Sequence, residues 1–257
     1  MIPYLQLPSL PLGPFTLEPF GIFVALGVWV ASRLAMREAK REGLSPTPIL
    51  DFSFWALLSG VVVAHWVHLF FYHPEELARY GPLQILRVWD GLSSTGGALG
   101  GVIAAAIFFK RRRVSFWAYS DALALGTAVG WGIARVGCAA VHDHPGVRTR
   151  FFFAVAFPDG PRHDLGLDDA LLLFSISALI WLCRSRGWLK GVRLALLALL
   201  YGAGRFGLDF LRARYPDVPY ADARYAGLTP AQIACVALVL YGLVVLAQRA
   251  VRPSSKR

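Results

Sequence analysis

The chain of 257 residues is 56% hydrophobic and only 16% charged, with a mean hydropathy of +0.51; that balance excludes an ordinary soluble domain and points to a bilayer as solvent. A net charge of +10 would suit a nucleic-acid binder only if the cations covered one face, and they fall instead in short clusters between apolar runs, so no nucleic-acid partner is expected. The three cysteines, Cys138, Cys183 and Cys235, stand in apolar surroundings without paired spacing, which argues against a disulfide framework.

Residues 1–17 carry Pro3, Pro8, Pro11 and Pro14 and show neither a basic start nor a small-residue cleavage site, so a retained surface segment is expected there. Seven apolar windows follow, each read against the ~20 residues that a spanning helix needs. They are Phe20–Met36, Leu50–Tyr72, Gly96–Phe109, Tyr119–Val136, Leu167–Cys183, Val192–Leu211 and Pro230–Gln248. The third is short, and the glycines before it suggest an extension as a broken helix or re-entrant turn packed inside protein. The expected fold class is therefore an all-α integral membrane protein of about seven transmembrane helices, one domain over residues 1–257, without repeats.

Lysine and arginine concentrate in alternate connections. Arg33, Arg37, Lys40 and Arg41 form one cluster, Lys110 to Arg113 a second, and Arg184, Arg186, Lys190 and Arg193 a third. Arg249, Arg252, Lys256 and Arg257 make a basic tail over residues 249–257. The remaining connections hold the scattered Arg79, Arg87, Arg148, Arg150, Arg162, Arg212, Arg214 and Arg224. The positive-inside rule then places the N-terminus outside and the C-terminus in the cytoplasm. The outward connections, His73–Asp90, Gly137–Gly166 and Arg212–Thr229, are the long ones and hold six of the eleven aspartates and four of the six histidines, which marks the outer face as the working face. Within the extracytoplasmic loop 137–166, Phe151–Phe157 followed by "PDG" predicts a short strand or hairpin.

Two cations fall in or at the outer end of spans, Arg135 and Arg205. Charge at membrane depth is costly and marks a functional site by default, although snorkelling or pairing with an acid would also account for it. In "YGAGRFGLDFLR", Tyr201 and Asp209 lie four residues either side of Arg205, on its helical face. Two guanidiniums at the outer boundary suit a phosphate diester, because the planar fork donates to two oxygens and stays charged when desolvated. The anion available there is a phospholipid headgroup.

The "SSTGGALGG" stretch, Ser93 to Gly101, offers either backbone amides for an anion or tight helix packing by the small Gly97 and Gly101. Cys138, His142, His144 and His163 are metal-ligand types, but their spacing matches no closed zinc pattern, so no metal and no cofactor are expected. A Cys138–His142 nucleophile pair lacks an orienting third group.

With "ARVGCAAVHDHPG", "ILRVWDGLSSTGG", "PRHDLGLDDAL", "YGAGRFGLDFLR" and "LTPAQI" in that order, the chain resembles the prolipoprotein diacylglyceryl transferase family over nearly its whole length. The resemblance implies a multi-pass enzyme of the cell inner (cytoplasmic) membrane. It would transfer diacylglycerol from phosphatidylglycerol to the lipobox cysteine of preprolipoprotein signal peptides, leaving glycerol phosphate. Its partners would be those two substrates and the surrounding membrane lipids. The family's signature arginine falls on Arg135 and its acid on Asp143, while its two asparagines fall on Cys138 and Val141 and its glycine on Ala134. Thr95 stands where the family's loop histidine usually precedes Gly-Gly, and Phe20 stands for an early tyrosine. Arg162, His163 and Leu167 keep a second stretch, with Asp169 for its glutamate; Arg205, Phe206, Phe210 and Arg212 keep a third, with Asp209 for its glutamate.

On this reading Arg135 and Arg205 clamp the phosphate and stabilise charge on the leaving group. His163 accepts the proton of the substrate thiol, with His142 as the substitute for the absent loop histidine. Asp209 and Asp143 orient the arginines, Tyr201 donates to the lipid, and Thr95, Gly96 and Gly97 line the headgroup pocket. Two other readings remain: a divergent paralogue that binds lipid or modifies another acceptor, and a transporter or channel, against which the lack of inverted repeats argues.

Overall fold

The computed structural model describes residues 1–12, 15–89, 91–214, 217 and 222–251. Arg252, Lys256 and Arg257 of the expected basic tail, Asp90, and part of the Arg212–Thr229 connection lie outside the described residues.

All seven apolar windows form helices. In chain order the elements are β1 (Ile2–Pro3), β2 (Leu10–Leu12), β3 (Phe15–Leu17), α1 (Pro19–Arg41), α2 (Thr47–Val67), α3 (Pro74–Tyr80), α4 (Ser94–Arg112), α5 (Phe116–Val141), β4 (Pro145–Arg148), β5 (Val155–Phe157), β6 (Gly160–Asp164), α6 (Leu165–Ser185), α7 (Arg193–Leu208) and α8 (Pro230–Val251). A π-helical turn, His68–Tyr72, continues α2, and a 3-10 turn, Asp209–Leu211, continues α7. Among the described residues, six helices are long and apolar enough to cross a membrane: α1, α2 with its π turn, α5, α6, α7 with its 3-10 turn, and α8. The chain is a multi-pass, mostly helical membrane protein. The exception is α4, whose glycine-rich start and Lys110-Arg111-Arg112 end leave too little apolar length.

Contacts divide the chain into two compact units. The first holds residues 1–35, 120–221 and 235–257, with α5, α6, α7 and the strands. Its α1 and α5 cross at glycines: a Cβ on Gly27 would meet the Gly130 carbonyl oxygen at 2.4 Å, and one on Gly130 would meet that of Gly27 at the same distance. Small residues let membrane helices approach this closely, and the backbone contact replaces the hydrophobic driving force that lipid cannot supply. A four-stranded sheet of order β1-β5-β6-β4 follows the end of α5. The β5–β6 hairpin turns at the predicted "PDG", with Phe157 opposite Gly160. The segment 1–17 is built into this unit, because β1 pairs in parallel with β5 and the Leu7 amide donates to the Ala140 carbonyl near the end of α5.

The second unit holds residues 36–119 and 222–234, with α2, α3 and α4. The expected broken helix or re-entrant turn before Gly96 is instead a regular helix start. Ser93 is its N-cap, its Oγ accepting from the Gly96 amide at 2.9 Å, and the Gly97 amide donates to the Ser93 carbonyl at 3.0 Å. Gly96 and Gly100 face α2, where added Cβ atoms would meet Val63 O at 2.6 Å and Ser59 O at 2.5 Å. Gly97 and Gly101 have open space instead. The packing role therefore belongs to this stretch, shifted by one residue from the pair expected for it.

Candidate active site

The first unit gathers charge where three helices end. Arg135 and Cys138 sit near the end of α5, and the chain then turns through His142 with φ +54°. His142 is fixed by Asp164, whose Oδ2 lies 2.5 Å from its Nδ1. The other oxygen of Asp164 caps α6, accepting from the amides of Gly166 and Leu167 at 2.9 and 3.1 Å. One turn into α6 stands Asp169. Arg205 comes from the end of α7, and the 3-10 turn after it presents Asp209 and leads to Arg212. Bonding between Ala213 N and Pro145 O, 3.2 Å, ties this turn back to β4.

These five side chains alternate in sign. Arg135 Nε lies 2.6 Å from Asp169 Oδ2, which is 3.7 Å from Arg205 Nε. Arg205 Nη2 then reaches Asp209 Oδ1 at 3.1 Å, and Arg212 Nε meets the same oxygen at 3.3 Å. Arg135 and Arg205 are each 3% exposed, and both aspartates are fully buried. Burying charge costs several kcal/mol per ion unless it is paired, which explains why the two membrane arginines come with acids.

The pairing is incomplete. Arg205 Nη1 and Asp169 Oδ1 are buried and have no hydrogen-bond partner among the described residues. A buried donor left without a partner costs about 1–3 kcal/mol, and here the donor carries charge. An anion with two or more oxygens would accept from Nη1.

The predicted neighbours divide. Tyr201 OH donates to Asp169 Oδ2 at 3.2 Å, so within this unit it holds the shared acid. Asp209 orients Arg205 as its spacing implied. Asp169, which no role had been assigned, is the acid shared by Arg135 and Arg205. The signals for it were the need of a membrane arginine for a counter-ion and its place in the stretch that matches the family's pattern. Asp143 lies within electrostatic reach of Arg135 and Arg212. Its carboxyl is pushed up to about 6, mainly by burial, against the pull of those arginines. Its neighbour His144 is held well below the ordinary histidine range by burial, with Arg212, Arg135 and Arg205 adding to the effect. At neutral pH that imidazole is uncharged.

His163 pairs through Nδ1 with Asp168 Oδ2 at 3.0 Å and lies face to face with Phe151, ring centroids 5.8 Å apart. His142 stacks on Tyr4 at 4.2 Å, and its Nε2 is buried without a partner among the described residues. Both candidate bases are thus aspartate-bound imidazoles. Thr95, Gly96 and Gly97 belong to the second unit. There Thr95 Oγ1 lies 2.9 Å from the Tyr72 hydroxyl, Gly96 packs on α2, and the amides of both glycines are already bonded within their own helix start.

A family model described as prolipoprotein diacylglyceryl transferase matches residues 9–248. Among curated proteins, a relative from Chromohalobacter salexigens is 33% identical, covering 91% of this chain and 89% of its own. Relatives from Methylococcus capsulatus and Pseudomonas paraeruginosa are 27% and 29% identical, covering 95% and 93% of this chain and 95% and 91% of their own. All three are named phosphatidylglycerol–prolipoprotein diacylglyceryl transferase.

Proposed function

The chain belongs to the prolipoprotein diacylglyceryl transferase family, and from that premise we propose that it transfers the diacylglyceryl group of phosphatidylglycerol to the lipobox cysteine thiol of preprolipoproteins. The observation that carries this reading at the site is the buried Arg135–Asp169–Arg205–Asp209–Arg212 chain, with Arg205 Nη1 left without a partner among the described residues. A phosphate diester oxygen would accept from it.

Arg135 and Arg205 hold the headgroup phosphate, and Asp169 with Tyr201 and Asp209 fixes their orientation before substrate arrives. The substrate's own cysteine sulfur attacks the glyceryl carbon that bears the phosphate ester. A carbon–sulfur bond forms, the carbon–oxygen bond breaks, and glycerol phosphate leaves with the electron pair. Negative charge grows on the departing phosphate, where the arginines stabilise it more strongly than in the ground state. The thiol proton passes to an imidazole: His163, whose pairing with Asp168 stabilises the imidazolium that results, or His142, which Asp164 supports in the same way. The basic connections further support an N-terminus outside, a C-terminus in the cytoplasm, and residence in the inner membrane.

Purified protein in detergent, given labelled phosphatidylglycerol and a lipobox peptide, is expected to add one diacylglyceryl mass to the peptide's cysteine. No mass gain with this donor and acceptor, under conditions where a family relative turns over, would reject the reading.

A further inference from the structure

We propose that Cys138, Asp143 and His144 form a three-ligand site for a divalent transition metal of the zinc class. The Cys138 sulfur, a carboxylate oxygen of Asp143 and an imidazole nitrogen of His144 all lie within 4.8 Å of one another. His144 Nδ1 and Asp143 Oδ1 are 3.8 Å apart. Zinc bonds of ~2.3 Å to sulfur and ~2.0–2.2 Å to nitrogen or oxygen put ligand atoms about 3.4–3.6 Å apart in a tetrahedron, so side-chain rotation has to draw the three together around the ion.

The backbone supports the same grouping. The positive φ of His142 ends α5 and brings residues 143 and 144 back toward its last turn, where Cys138 sits. That turn is held from three sides. Asp164 holds the His142 ring, the His144 carbonyl accepts from the Leu165 amide at 3.1 Å, and Gly166 packs so closely that a Cβ there would meet Cys138 Cβ at 2.9 Å. The ligands therefore sit on a fixed frame rather than a loose loop, as a preorganised metal site needs.

Arg212, Arg135 and Arg205 lie within electrostatic reach of His144, so the thiolate and carboxylate ligands have to offset their charge as well as the ion's. The site lies at the carbonyl end of α5, which favours positive charge. Arg135 Nη1 donates to the Cys138 sulfur at 3.7 Å, an outer contact that stabilises a thiolate. Cys138 is 4% exposed, while Asp143 keeps 41% of its side chain in contact with solvent and gives the ion a way in. Thiolate, imidazole and carboxylate together favour zinc or cobalt over magnesium or calcium. Three protein ligands leave a fourth position open, unlike a closed structural zinc site. Cys138 stands where the resembling family carries an asparagine, so the donor set is a property of this chain.

On binding, the Cys138 thiol releases its proton to solvent and the sulfur becomes a metal thiolate. The test uses the full chain in detergent, stripped with chelator, loaded with zinc and then with cobalt as a spectroscopic probe. One equivalent of zinc is expected to survive gel filtration, and cobalt is expected to give a sulfur-to-metal charge-transfer band of tetrahedral intensity. Cys138→Ser should remove the band, and His144→Ala and Asp143→Asn should each weaken binding by more than about tenfold. Cys183→Ser, the matched control, should keep it. Thermal unfolding of each variant without metal checks that it is folded. Substoichiometric zinc in the wild type, or a band that survives in Cys138→Ser, would overturn the proposal.

Discussion

Arg162 and Arg205 are both buried arginines facing aspartates, yet they differ in one respect. Arg162, in strand β6, has every nitrogen engaged: Nε with both oxygens of Asp159 at 3.0 Å, Nη2 with the same carboxylate, and Nη1 with the Gly146 carbonyl at 3.1 Å. Its partner sits at the surface, 48% exposed. Arg205 shares its two acids with other arginines and leaves Nη1 unmatched in a dry site. A completed set of bonds holds a hairpin together; an incomplete one leaves a buried donor open to an anion. Burial and charge alone would have ranked the two residues together, and only the donor inventory separates them.

The contrast breaks most severely at the shared acid. Asp169→Asn removes the carboxylate between Arg135 and Arg205, and leaving buried charge unpaired costs about 3–5 kcal/mol. Thermal unfolding in detergent should show the largest loss of any single change at the site. Near wild-type stability would mean the chain of charges is more hydrated than its burial implies.

Arg205→Ala comes next. Asp169 keeps Arg135 and Asp209 keeps Arg212, so the protein should still insert, while diacylglyceryl transfer falls by about 10²–10³-fold, as for loss of one preorganised charge-stabilising donor. Arg162→Ala should do the reverse. It leaves Asp159 at the surface but orphans the Gly146 carbonyl, and is expected to lower stability by about 1–3 kcal/mol with little change in kcat/KM per folded molecule. Comparing these two variants in the same peptide assay and the same melting experiment sharpens the distinction.

The smallest effect concerns pH. The Arg162 hydrogen bonds hold the Asp159 carboxyl down to about 2, from an ordinary value of 3.8. A depressed carboxylate contributes stability that is fully present above the unfolded value and is lost as pH falls through the folded one. The window therefore runs from about 4 down to about 2, and exposure of Asp159 keeps the amplitude small. Melting temperatures across that window should fall slightly less in Asp159→Asn than in the wild type.

Much of this was legible in the chain. Hydropathy alone located seven of the eight α-helices described, all but the short α3, and "PDG" located the β5–β6 turn, because length and local turn chemistry are properties of short segments. Asp209 was legible as a partner of Arg205 for the same reason, being one helical turn away. Asp169 was not, since it reaches Arg135 and Arg205 only when α6 packs between their helix ends. The pairing of His142 with Asp164 and the convergence of Cys138, Asp143 and His144 likewise depend on where α6 begins and on one residue with positive φ. Gly96 and Gly100 rather than Gly97 and Gly101 pack on α2, because both pairs are i,i+4 on adjacent faces and only the packing of the helix decides which face meets its neighbour.

The central claim is that the free Nη1 of Arg205 receives the headgroup phosphate. The direct measurement is the Kd for phosphatidylglycerol in mixed micelles, for wild type and Arg205→Ala, with phosphatidylcholine micelles as the background. Losing a hydrogen bond to a charged group, worth about 1.5–3 kcal/mol, should raise Kd at least about tenfold. An unchanged Kd in a folded variant would contradict the claim.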